Sequence, residues 1–291
     1  MSKIHDPVLV REVLKLINPQ NNESLLDVTA GYGGHSSEIL AKTGNFKESY
    51  LIDRDAYAIN YLKNVIYPNK KVNILKNDFL RASQELFDQN KKFDIIFADL
   101  GVSSQHINDQ DRGFSFMSNA RLDMRMDQSQ EIDAEYIINK YSESDLKYII
   151  QKYGEEPKAA FIAKEILRNR PIKSTEELVK ICRRAWPGYS IKNPATRTFQ
   201  AIRIEVNQEL KQLEETLPIW FNLLNQKGRL AIVTFHSLED KIVKNFFKEN
   251  SGSRLDDKFK LLTKKPIVPD KSELVSNPRA RSAKLRAVVK K

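Results

Sequence analysis

Asp27-Val28-Thr29-Ala30-Gly31-Tyr32-Gly33-Gly34 lies between an apolar run, Ser24 to Val28, and a segment of helical spacing, His35 to Ala41. Strand, glycine turn and helix in that order predict the first βα unit of a doubly wound α/β sheet. The chain has only 10 glycines, so three in four residues carry meaning. Glycines there let the backbone approach a ligand closely. The next apolar run, Tyr50 to Ile52, ends in Asp53, 20 residues after Gly33. An acid at that place can accept hydrogen bonds from both ribose hydroxyls of an adenosine. A dinucleotide would want a third glycine where this chain has Ser36, and would set a phosphate on the helix N-terminus. S-adenosylmethionine is cationic, and Asp27 suits a cation and repels a pyrophosphate. The loop therefore favours S-adenosylmethionine over NAD. A ligand-free turn would explain the glycines alone but not the glycines with Asp53.

Outward from this unit the βα rhythm continues. Residues 8–17 read as a short apolar helix with Pro7 near its start, and Ala56 to Val65 as a second. Val72 to Leu75 and Phe93 to Ala98 read as strands three and four, the last ending at Asp99. After Asp99 the rhythm changes. Residues 107–129 are polar, and 133–186 show helical spacing only, with capping pairs at Ser142/Asp145 and Ser174/Glu177 and stops at Gly154 and Pro171. A long helix from Pro194 to Leu217 follows, then a helical segment to Gln226, a stop at Gly228 and a fifth strand from Leu230 to Phe235. Phe259 to Leu262 and Ala283 to Val289 would supply two last strands as an edge hairpin. The expectation is a mostly parallel seven-stranded sheet, residues 1–106 and 193–291, with a helical insertion at 107–192.

Composition narrows the function classes. Of 291 residues, 41% are hydrophobic, too many for a disordered chain, and no apolar run approaches the length of a membrane span. The opening MSKIHDPVLVREV has no apolar signal region. A single cysteine, Cys182, excludes an intramolecular disulfide and a Cys-rich zinc site, and fits a reducing cytoplasm. The formal charge of +10 is concentrated in residues 158–211, net +7, and 271–291, net +6. Two basic zones on a nearly neutral body suit a polyanion.

Asp99-Leu100-Gly101-Val102-Ser103-Ser104 leaves the fourth strand at the edge where open α/β sheets bind ligands. An acid there can face both a donor methyl and an acceptor amine, taking N–H hydrogen bonds and later a proton. Asp78-Phe79 follows the third strand, where a ring can cover an adenine; for Phe79 alone a core role outweighs that one. Phe235-His236-Ser237-Leu238-Glu239-Asp240 contains Ser, His and Asp, but sequence neighbours rarely form a triad and no Gly-x-Ser-x-Gly elbow exists; Ser237 with Asp240 reads as a helix cap. His5, His35, His106 and His236 lack metal-ligand spacing, so no metal is inferred. Arg183-Arg184-Ala185-Trp186, Arg197 to Arg203 and Arg279-Ala280-Arg281 combine phosphate-binding and apolar groups, with Phe199 better read as core.

Longer ordered motifs then match a known family. The chain resembles the RsmH (MraW) family, bacterial methyltransferases that modify the N4 amine of a decoding-centre cytosine in 16S ribosomal RNA. The resemblance is carried by His5 to Leu9, Asp27 to Ser36, Ile52 to Asp55, Asp99 to Ser104, Arg112 to Phe116 and Leu122 to Asp127. It continues through Tyr153 to Glu156, Pro194 to Ile204, Phe235 to Asp240 and Asn277 to Arg286. It implies a Rossmann-like class I methyltransferase fold with a helical insertion. It implies that Gly33, Gly34 and His35 contact the donor, Asp53 its ribose, and Phe79 and Asp99 the rest. The family's ligand-contacting glutamine aligns with His106, with Gln105 one place early. Where the family has a histidine this chain has Asn193, read as a helix cap.

The resulting expectation is a cytoplasmic S-adenosylmethionine-dependent rRNA methyltransferase, with Asp99 catalytic and 16S rRNA in the small ribosomal subunit as partner. The rivals are a non-catalytic ribosome assembly factor and a Rossmann-type NAD oxidoreductase. The oligomeric state stays open, a homodimer included.

Overall fold

A computed structural model of the chain describes residues 7–102, 109–188, 193–252 and 258–291. The chain separates into two compact units, residues Met1–Gly101 with Leu210–Lys291, and Val102–Glu209.

The first unit is built on a seven-stranded sheet. Strands β1 (Leu25–Asp27), β2 (Tyr50–Asp53), β3 (Asn73–Lys76), β4 (Phe93–Asp99) and β5 (Leu224–Thr234) run parallel, and β7 (Lys284–Lys290) is antiparallel to β5 and β6 (Phe259–Leu261). The order is β3-β2-β1-β4-β5-β7-β6, that of a Rossmann-like class I methyltransferase sheet. The short apolar runs make such strands because both faces are covered. Leu25, Leu51, Ile95, Phe97, Ala231 and Val233 enter one core, and Leu26, Ile52, Ile96, Ala98, Leu230 and Ile232 the other. Alternation with a period of two thus sorts each strand between the faces. Helices α1 (Val10–Ile17), α2 (Gly34–Thr43), α3 (Ala56–Tyr61) and α4 (Phe79–Asp88) punctuate the first four strands. No helix among the described residues is long and apolar enough to cross a membrane.

Several boundaries differ from the sequence expectation. The helix expected over 56–65 turns into a π-helical turn, Leu62–Ile66, after α3. β5 begins at Leu224 rather than Leu230: a register shift opposite Phe93 and Ile95 absorbs the next residues, with Lys227 at φ 64° before Gly228. The last two strands pair antiparallel with β6 at the sheet edge but form no hairpin; α12 (Lys271–Ser276) and a 3-10 turn, Pro278–Ser282, separate them. β7 instead takes an interior place beside β5.

The second unit is helical: α5 (Ala134–Lys140), α6 (Glu143–Gly154), α7 (Ala159–Arg168), α8 (Thr175–Ala185) and α9 (Thr196–Asn207). Ile138, Ile150, Ile162, Ile166, Cys182, Phe199 and Ile202 meet in its core. Burial pushes the Cys182 thiol up to about 12. Ser142 caps α6, and Ser174 with Glu177 forms the expected capping box on α8. The long helix expected over 194–217 is two. Gln208, at φ 52°, ends α9, and α10 (Glu209–Leu223) starts afresh. Asn193 is not the cap residue of α9. Its Oδ1 accepts from the Ala195 amide at 3.0 Å, and Ala195 is the cap. The dense run before α5 is ordered by its own charges: Arg125 grips Asp123 through Nε and Nη2, both at 2.8 Å, and Arg112 donates to the Arg125 and Met126 carbonyls.

Candidate active site

Three acids end three adjacent parallel strands: Asp27 on β1, Asp53 on β2 and Asp99 on β4. Adjacent parallel strands bring their carboxyl ends to one edge, which is where such sheets bind ligands.

The loop after β1 is held from three directions. Its Thr29 amide donates to Asp27 Oδ1 at 3.1 Å, its Ala30 amide to the Ile52 carbonyl at 2.8 Å and its Gly31 amide to Asp53 Oδ2 at 2.8 Å. The other Asp53 oxygen accepts from the Asp55 amide at 2.8 Å. Asp53 is thereby fixed in orientation at the end of β2.

The glycines divide by role. At Gly33, with φ 82°, an added Cβ would lie 3.0 Å from Leu62 Cδ2 and 3.4 Å from Ile66 Cγ2. At Gly34 it would lie 3.1 Å from Pro7 Cβ. These two are glycines because protein packs against them, a reason different from ligand approach. Gly31, at φ 51°, has nothing nearer than 3.9 Å, so the open side of the loop is there.

His35 opens the second turn of contacts. It is buried, its Nε2 donates to the Val8 carbonyl at 2.9 Å, and its Nδ1 lies 3.6 Å from Asp99 Oδ2. Its ring packs on Phe97 with centroids 4.5 Å apart. The structure thus brings Gly33, Gly34, His35, Asp53 and Asp99 together at one sheet edge.

Electrostatics mark the acids as costly. Asp27 is 1% exposed, and burial first, then the charge of Asp53, raises its carboxyl to about 7 against one opposing bond from Thr29. Burial, then the charges of Asp27 and Glu239, push Asp99 well above the usual carboxylate range. Asp99 Oδ1 is buried and has no hydrogen-bond partner among the described residues. A buried acceptor without a partner costs about 1–3 kcal/mol. An arriving cation or N–H donor would offset that cost.

Further expected residues are held by partners within the protein. Phe79 is 8% exposed and packs on Trp220 at 5.8 Å, with the Arg54 guanidinium 5.7 Å from its ring. Asp78 caps α4 by accepting from the Arg81 amide. Ser237 is not the cap of α11 (Ser237–Glu249). His236 is, because its Nδ1 accepts from the Glu239 amide while Glu239 reaches back to the His236 amide. Asp240 instead binds Arg286 at 2.6 Å and Lys284 at 3.1 Å, so that despite burial its carboxyl stays below the ordinary range. His106, with His5 and Ser103 to Gln105, lies outside the described residues. Thr29 and Tyr67 escaped the sequence reading. Tyr67 is buried under the loop with its hydroxyl 3.1 Å from Ser37 Oγ, and a lone tyrosine after a helix gives no signal of that place.

Known proteins can now be set beside this site. Residues 2–291 match the model of the MraW methylase family. A ribosomal RNA small subunit methyltransferase H from Petrotoga mobilis is 42% identical over 287 residues, covering 96% of this chain and 98% of its own. One of the same name from Mycoplasmopsis agalactiae is 40% identical over 301 residues, covering 100% and 99%. A solved rRNA methylase from Streptococcus thermophilus covers 99% of each chain at a TM-score of 0.46 and 10% identity. Matched by the family model over residues 2–291 and at 40–42% identity along nearly the whole length of both relatives, this chain belongs to the MraW methylase family.

Proposed function

We propose that the protein transfers a methyl group from S-adenosylmethionine to the N4 amine of a decoding-centre cytosine in the 16S rRNA of the small ribosomal subunit. The single observation that carries this reading is Asp99: a buried carboxyl at the end of β4 whose Oδ1 has no partner among the described residues, beside the glycine loop and two further acids. The names of the relatives supply the substrate class.

The residues fit a cationic adenosine derivative. Burial, with the charge of Asp53 beside Asp27 and the charges of Asp27 and Glu239 beside Asp99, raises both carboxyls and makes their ionised forms costly, an arrangement that a positive ligand relieves. Asp53, already oriented by two amides, has lone pairs for a ribose. The open side of Gly31 and the loop held by Gly33, Gly34 and His35 would receive the rest, Phe79 would lie toward the adenine and His106 would complete the set. When bound, S-adenosylmethionine supplies an activated methyl on a good leaving group. Asp99 then has two tasks. Its carboxylate, whose side chain is partly exposed, accepts an N–H of the target amine, which localises the nitrogen lone pair, and afterwards takes the proton released. In-line positioning supplies much of the remaining acceleration.

The unit Val102–Glu209, with residues 107–192 at its centre, acts in this reading as an inserted substrate-recognition domain, and Arg279 and Arg281 add phosphate contacts. The target base leaves its stack to reach Asp99. The place of action is the cytoplasm, where the subunit is.

The test is methyl transfer from labelled S-adenosylmethionine to small subunits from cells lacking the modification, with digested nucleosides read by mass spectrometry. Label in N4-methylcytidine is expected. Label in another nucleoside would overturn the substrate, and donor binding without label would favour the assembly-factor reading.

A further inference from the structure

Asp99 can take a proton from an amine only as a carboxylate, and its surroundings oppose that form. Burial and the charges of Asp27 and Glu239 push it upward. The ring of His35 stands beside it. Nε2 of that ring is 2.9 Å from the Val8 carbonyl, which can only accept, so Nε2 carries a hydrogen in every state of the ring. The nitrogen that gains or loses a proton is therefore Nδ1, and Nδ1 lies 3.6 Å from Asp99 Oδ2. A neutral ring would set its lone pair toward the carboxylate. A proton on Nδ1 turns the same geometry into an ion pair.

The ring is fixed in this orientation by its neighbours. It packs on Phe97 with centroids 4.5 Å apart. Phe97 is two residues before Asp99 on β4, so both side chains leave the same face of the sheet. The Val8 carbonyl is held in turn. The next amide, that of Leu9, donates to Glu273 Oε1 at 2.7 Å, and Pro7 lies against Gly34, where an added Cβ would come within 3.1 Å of it. Burial and the first turn of α2 both work against a charged ring. A carboxylate at ion-pair distance is what favours one.

We propose that His35 holds on Nδ1 the proton that Asp99 would otherwise carry, so that Asp99 meets the target amine as a carboxylate. The inference rests on the methyl-transfer reading above and makes the His35 side chain a positioning residue. An Asp99 Oδ2–H bond breaks and a His35 Nδ1–H bond forms, with no change in the charge of the pair. Asp99 then accepts the amine N–H and takes the proton released on methyl transfer, while His35 keeps its own. The second proton leaves through the Asp99 side chain, 18% exposed against 6% for the ring. Other titratable groups surround the pair. Asp27 from β1 and Glu239 from α11 act on Asp99, Asp53 acts on Asp27, Tyr67 stands in the field of Asp27, and His236 Nε2 is 3.3 Å from Glu239. All of them are kept in the proteins compared below.

Two measurements test the pair. The first is the pH profile of single-turnover methyl transfer to small subunits at saturating donor. In His35→Gln, whose amide can keep the Val8 bond, the half-maximal rate should move up by about 1–3 pH units, with the rate recovering toward wild type at high pH. A merely structural role lowers the rate equally at every pH, and a profile parallel to wild type overturns the inference. The second reads the imidazole nitrogens by NMR without turnover. The chain has 4 histidines, and replacing the other three singly assigns His35. Nδ1 should lose its proton at a pH about 1–3 units higher in wild type than in Asp99→Asn. Equal titration in the two proteins overturns the inference, whether or not His35→Gln folds. If wild-type protein forms no N4-methylcytidine, the methyl-transfer reading falls, and the NMR titration still decides the pair.

Discussion

The Asp99 amide donates to the Thr29 hydroxyl at 2.6 Å, which ties the end of β4 to the loop that follows β1. Thr29 in turn donates its own amide to Asp27. One small side chain thus sets the spacing between the proposed donor loop and the proposed catalytic acid. Thr29→Val keeps the shape and removes the acceptor, leaving a buried amide unsatisfied. It should cost about 1–3 kcal/mol of stability, read by urea denaturation, and Thr29→Ser should restore most of it. Equal midpoints for the valine variant and wild type would show that the bond adds nothing.

Asp99→Ala should abolish methyl transfer while S-adenosylhomocysteine still binds, with single-turnover rates down about 100-fold or more, the usual scale for a lost general base. Asp99→Asn retains an acceptor oxygen but cannot take the proton, so it should bind substrate and remain slow. A fully active alanine variant would remove Asp99 from the chemistry.

Asp27 predicts a pH dependence of stability. Its carboxyl titrates near 7 in the folded chain against 3.8 as the ordinary value. Between those values the folded state holds a proton that the unfolded state has lost, so stability falls as pH rises from about 4 to about 7. Above about 7 both states are ionised and the full cost is present. Asp27→Asn, which keeps an acceptor for the Thr29 amide, should be more stable than wild type at pH 8, by at most about 4 kcal/mol for a shift of this size. The advantage should shrink as pH falls toward 4. Parallel melting temperatures from pH 4 to 8 would refute the assignment.

Gly33→Ala forces a side chain into the left-handed region and against Leu62. The cost should be about 1–3 kcal/mol, and Leu62→Ala in the same chain should relieve the contact part of it while the backbone part stays. A thermal melt of both variants separates the two. No recovery in the double variant would place the whole cost in the backbone.

The first four βα units were legible because each strand is a short apolar run ended by a polar group, and Asp27, Asp53 and Asp99 could be placed at its end. The acids of the site were therefore visible before any contact was known. The glycine loop was legible as a loop, but the reason for Gly33 and Gly34 was not. Leu62, Ile66 and Pro7 reach them only through the fold. The start of β5 was hidden by its irregular residues near Lys227 and Gly228, which look like the end of a helix. The cap of α11 was misread by one residue because a histidine ring nitrogen accepts a bond that serine more often takes. Asp240 could not be separated from a cap without knowing that Arg286 lies across from it.

The interior place of β7 has a consequence for how the sheet is made. A chain growing from its N-terminus lays down β1 and then β2 to β5, each of these four beside a strand already present. β6 breaks that order, because β7, the strand of the sheet it pairs with, is still to come. Until β7 emerges, β5 keeps an open apolar edge along Leu230 to Val233, the kind of edge that recruits foreign strands. When β7 arrives it pairs with β5 on one side and β6 on the other, so this side of the sheet is completed in one late step by the last residues of the chain.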